Sequence, residues 1–196
     1  MKGDIRLTAL RNKTLFLIGF SLLFLKINTL IADVSFFYLL TNALGMSLLM
    51  YETKGKRTLK KFFYALKIGQ VINGSLLLLN SSLYFYTGNN LRTIGIPADN
   101  LLLQYGGLII QGLFIINYFL PFILWLVFIS NAKKYSTFNF SRIERISYSA
   151  TFAYTLVTFV LIPDFIVYRN IILLGLTICI LCTIAHVVLK DDYIMT

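Results

Sequence analysis

Long apolar runs broken by short basic clusters leave few folds open to this chain of 196 residues. The stretches from Ile115 to Ile129 and from Ile171 to Leu189 carry no Asp, Glu, Lys or Arg. Inside hydrocarbon a chain must satisfy its own backbone hydrogen bonds, which only helices and closed barrels achieve, and these runs lack the alternation of a barrel strand. Composition agrees: 58% of residues are hydrophobic and 13% charged, against about 45–50% and about 25% in a soluble domain. With 3 Pro, 12 Gly and 2 Cys, the chain is neither a disordered, a collagen-like nor a disulfide scaffold. The expected class is an all-α, multi-pass integral membrane protein, in the plasma membrane if bacterial.

The net charge of +10 raises the question of nucleic acid, and the placement of the basic residues answers it. Lys2, Arg6, Arg11 and Lys13 precede the first apolar run; Lys54, Lys56, Arg57, Lys60 and Lys61 follow the second. Lys133, Lys134, Arg142 and Arg145 separate the fourth from the fifth, and Lys190 follows the last. Dispersed between apolar stretches, they read as a topology signal with anionic-lipid contacts, so membrane lipids are expected partners and nucleic acid is not. Basic clusters on one side require an even number of crossings between them. At about 20 residues per crossing, the expectation is a bundle of six transmembrane helices in three hairpins, both termini cytoplasmic. The spans fall near 14–30, 34–51, 62–87, 101–129, 146–162 and 171–189, within a single domain over 1–196. No small-x-small cleavage site follows the first apolar run, so that segment is expected to be retained. Lys26 with Asp33, and Asp164 with Arg169, are placed to pair across two of the turns.

Polar residues within the spans are the candidate functional groups, because their burial in a bilayer is costly and they usually face the bundle interior. At about 100° per residue, Gln70, Asn73, Asn80 and Tyr84 share one face of the third helix, with Lys67 to one side. The fourth contributes Gln104, Gln111 and Asn117, and the second contributes Thr41 and Asn42. Counting about 1.5 Å per residue brings Thr41, Asn73 and Asn117 to a similar depth near the midplane. Two uses of such residues are open: hydrogen-bonding glue between helices, or a polar cavity whose ligand-binding residues are Asn42, Gln70, Asn73, Asn80, Gln111 and Asn117. Cys179, Cys182 and His186 share a face of the last helix, but one helix rarely closes a metal site, so no metal and no cofactor is expected. The two thiols read as packing residues. Trp125 and tyrosines such as Tyr51 and Tyr64 are expected towards span ends, where amphipathic rings belong.

Phe36-Phe37-Tyr38-Leu39-Leu40-Thr41-Asn42, Asn117-Tyr118-Phe119-Leu120-Pro121-Phe122-Ile123-Leu124-Trp125, and the segment from Tyr148 to Tyr154-Thr155-Leu156 resemble the androgen-induced membrane hydrolase family and its bacterial six-span relatives. The resemblance implies a threonine nucleophile in the second span, matched by Thr41, acting on lipid esters with a histidine of the fourth span. No histidine stands there, and Asn117 occupies the nearest position. An amide cannot serve as general base, so the expectation leans away from an enzyme and towards binding of a lipid-like or small amphipathic ligand. An intramembrane hydrolase using Thr41 and a small-solute transporter subunit remain the alternatives.

Overall fold

The computed structural model describes residues 2–24, 34–87, 101–134, 140–160 and 166–190. Its side chains are described over 12–24, 37–82, 115–134, 140–158 and 171–190, and at 109, 112 and 113. Six α-helices occupy these residues: α1 (Lys2–Phe24), α2 (Val34–Thr53), α3 (Lys60–Thr87), α4 (Leu101–Ala132), α5 (Ser141–Val160) and α6 (Ile166–Lys190), with one 3-10 turn at Arg57–Leu59. Helices adjacent in sequence pack against one another, and α6 returns to α1, so the bundle closes as a ring. Lys13 fastens that closure, its Nζ donating at 3.0 Å to the Leu189 carbonyl in the last turn of α6. A cation is favoured there because the final carbonyls of a helix lack intrahelical donors and carry partial negative charge.

Among the described residues three stretches are long and apolar enough to cross a membrane: Arg57–Ser82, Ile115–Ala132 and Ile171–Lys190. The expectation of six transmembrane helices is therefore corrected to three candidate spans among the described residues. Among the described residues α1 contributes the shorter apolar stretch Asn12–Phe24, and its earlier turns carry Lys2, Asp4, Arg6 and Arg11. Helix α5 spends its first turns on Arg142, Glu144 and Arg145 and then carries Ser147, Ser149, Thr151, Thr155 and Thr158. Helix α2 includes Thr41, Asn42, Ser47, Glu52 and Thr53. The placement of both termini on the cytoplasmic side rested on the clustering of basic residues, and three candidate spans among the described residues do not fix it. The proposed turn pairs of Lys26 with Asp33 and Asp164 with Arg169 lie outside the described residues.

The outward faces of the long helices are apolar: Ile68, Val71 and Leu78 on α3, and Ile171, Leu174 and Ile178 on α6, are all exposed. Exposed apolar ridges on two of the candidate spans suit a hydrocarbon surround. Inward, α1, α3 and α4 meet in an aromatic core. Phe20 stacks on Phe62 at 5.9 Å between ring centroids, and Trp125 stacks on Phe128 at 5.5 Å. Phe20 meets Trp125 edge-on at 5.7 Å, and Phe16 meets Phe128 at 5.2 Å. Trp125 is therefore fully buried, not at a span end, and its indole Nε1 donates to the Ser147 hydroxyl of α5 at 3.0 Å. Tyr51 and Tyr64 do lie on the surface.

Two glycines decide how closely α1 and α2 approach. A Cβ on Gly45 would stand 2.7 Å from the Gly19 carbonyl oxygen, and one on Gly19 would stand 2.8 Å from Leu49 Cγ. Small residues at such crossings let backbones come together and gain van der Waals contact, the main attraction between helices in lipid. After α2, the chain reverses through Gly55 at φ +82°, a left-handed conformation that costs glycine little.

Candidate functional site

Pro121 lies inside α4 and has no amide hydrogen, so the carbonyl of Asn117, four residues earlier, is denied its helical donor. Away from water such a carbonyl requires a partner, and the Tyr38 hydroxyl of α2 supplies one, donating to it at 2.7 Å. The Asn117 side chain then reaches α3, its Nδ2 donating to Asn73 Oδ1 at 3.0 Å. Asn73 Nδ2 completes the circuit by donating at 2.8 Å to the Leu39 carbonyl of α2. Three helices are thus joined by Tyr38, Asn117 and Asn73, with both asparagines at 0% exposure.

Beside this circuit lies Asn42, one turn beyond Tyr38 and also 0% exposed. Its amide adjoins the Tyr38 hydroxyl. Among the described residues neither its Oδ1 nor its Nδ2 achieves hydrogen-bond geometry with a partner, and Asn117 Oδ1 is likewise without one. An amide buried without hydrogen bonds costs about 1–3 kcal/mol on the scale of protein mutations.

The remaining candidates distribute unevenly. Thr41 is buried, but its hydroxyl donates at 3.0 Å to the Tyr38 carbonyl of its own helix. Asn80 is buried two turns beyond Asn73 and has an interaction of its own. Gln70 is half-buried; its Nε2 makes a long 3.4 Å contact with Ser47 Oγ and its Oε1 has no partner. Gln111 belongs to α4, with its side chain outside the described residues, as are those of Gln104 and Tyr84. Lys67 is exposed, its ammonium 4.9 Å above the Phe63 ring, and takes no part in the amide cluster. Cys179, Cys182 and His186 lie on the exposed side of α6, and no group of three or more potential ligands able to hold a metal occurs among the described residues.

Tyr38 is the participant that polar-residue counting missed, since a tyrosine can face lipid, an interface or the interior. The signal was present in the spacing: Pro121 identifies Asn117 as the residue whose carbonyl needs an outside donor. Tyr38→Phe is accordingly expected to cost about 1–3 kcal/mol in unfolding experiments in mixed micelles. The cost should shrink in a Pro121→Ala background, where residue 121 regains its N–H. Equal costs in both backgrounds would mean that the proline does not create the need for the hydroxyl.

No protein-family model matches the chain, and no curated protein or solved structure does either.

Proposed function

We propose that this helical membrane protein binds a lipid-like or small amphipathic ligand whose polar group enters the amide cluster of Asn42, Asn73 and Asn117. The observation that carries the proposal is Asn42, completely buried beside the Tyr38 hydroxyl that binds Asn117, with neither end of its amide in hydrogen-bond geometry with a partner among the described residues. A residue kept only as glue between helices would be expected to make the bonds that justify it, as Asn73 does. Binding is favoured over catalysis because the Thr41 hydroxyl donates into its own backbone at 3.0 Å. A threonine nucleophile needs a base to take that proton, and an amide cannot.

Asn42→Leu tests the reading, since it keeps the approximate volume and removes both polar atoms. Stripped of ligand, the variant is expected to exceed wild type in stability by about 1–3 kcal/mol, because an unsatisfied buried group has been removed. Native mass spectrometry of protein extracted gently from membranes should show a bound small molecule or lipid on wild type that Asn42→Leu has lost. A wild type that carries nothing, or a variant that still carries it, would sink the proposal.

A further inference from the structure

Helices α3 and α4 run antiparallel, bringing the basic start of one, Lys60-Lys61, to the basic end of the other, Lys133-Lys134. Between them an open groove of about 400 Å³ is lined by Lys61, Ile123, Leu126, Val127, Ser130, Asn131 and Lys134. Its α4 residues follow helical spacing, with Ile123, Leu126, Val127 and Ser130 forming one stripe, and Lys134 stands in the turn just past the helix end. The stripe is graded. Apolar side chains occupy its deeper part, a hydroxyl follows, and the Lys134 ammonium closes it beyond the helix end.

The charges at the mouth are also sorted. Lys133 is held by Glu144 at 2.7 Å. Lys56 is half-buried beside Glu52, its ammonium held below its usual range by burial, an effect that the carboxylate partly offsets. Lys61 and Lys134 are exposed, have no carboxylate partner among the described residues, and no acidic side chain lines the groove. Asn131 braces the floor by donating through Nδ2 to the Thr58 carbonyl. Both helices at the groove contain candidate membrane spans, Arg57–Ser82 and Ile115–Ala132, so this is the level at which a lipid headgroup would sit.

We infer that this groove is a binding site for one anionic phospholipid, its phosphate between Lys61 and Lys134 and an acyl chain along Ile123, Leu126 and Val127. Charge complementarity selects this occupant: two ammonium groups without a carboxylate partner among the described residues stand above an apolar wall whose length suits the upper part of a chain, and none of the residues lining the groove is acidic. The site is separate from the Asn42 cluster and stands independently of it.

The test uses purified full-length protein, a phosphatidylglycerol with a fluorescent acyl chain, and a phosphatidylcholine carrying the same chains. Wild type is expected to prefer phosphatidylglycerol. Lys61→Gln and Lys134→Gln should each weaken that preference about fivefold and the pair about thirtyfold, on the usual contribution of a lysine near an anionic surface. Lys54→Gln with Lys67→Gln removes the same net charge from other exposed lysines and should leave the preference nearly intact. An equal loss in that control pair would reduce the effect to bulk attraction and overturn the site. Competition by inorganic phosphate as effective as that by unlabelled phosphatidylglycerol would assign the lysines to a free anion and overturn it too. Leu126→Asn is expected to weaken both labelled lipids while sparing the preference between them; unchanged binding would remove the acyl-chain assignment.

Discussion

Trp125→Ala is expected to lower the stability of the bundle by about 3–5 kcal/mol, which would leave little of the folded state populated in detergent. The indole is fully buried where α1, α3 and α4 meet, in contact with Phe20 and Phe128, and truncation would leave those rings facing a void. In lipid the loss comes mainly from dispersion contacts, because hydrocarbon tails provide no water for the core to escape. A second term is polar: Ser147 Oγ accepts the indole N–H at 3.0 Å, joining α5 to the core. Trp125→Phe should keep much of the packing and cost less. Ser147→Ala should cost about 1–3 kcal/mol by leaving a buried donor unpaired. Unfolding by graded addition of SDS to mixed micelles measures all three. A Trp125→Ala protein as stable as Trp125→Phe would show that the ring cluster is not what holds α1 against α4.

Gly45→Ala is expected to destabilise by about 1–3 kcal/mol, although alanine is the better helix former by about 1 kcal/mol. The new methyl would lie 2.7 Å from a backbone oxygen of α1 and 3.1 Å from both Leu23 N and Leu23 Cγ, so the two helices would have to move apart. Gly74→Ala is the matched control, with nothing within 4 Å of its added Cβ, and should stabilise by about 0.5–1 kcal/mol. Opposite signs in the same unfolding assay are the expected result. If both substitutions stabilise, α1 and α2 are not in backbone contact.

The six helices were legible because apolar runs of helical length, separated by basic turns, leave a chain in lipid no other regular structure. How many of them cross was not. Charge clusters were counted as boundaries between spans, whereas Arg142, Glu144 and Arg145 lie inside α5 and the early charges of α1 lie inside that helix. A residue's charge reports where it is expensive to bury, not where its helix begins. The similar depths of Asn73 and Asn117 agree with the bond that joins them, but depth along separate helices says nothing about rotation. Thr41, at much the same depth, turns its hydroxyl back onto its own backbone. Trp125 was misplaced because an amphipathic ring suits an interface equally well; only its pairing with Ser147, a residue of another helix, resolves the choice.

The contact between Lys13 and the Leu189 carbonyl joins positions 176 residues apart. At a ribosomal rate of about 5–20 residues per second, the first partner waits about 9 to 35 seconds for the second to be made. Throughout that interval the face of α1 destined for α6, with a buried lysine on it, has to be sheltered by lipid, an insertion factor or a provisional neighbour. The order of synthesis therefore places closure of the ring after every helix from α2 to α6 has been made.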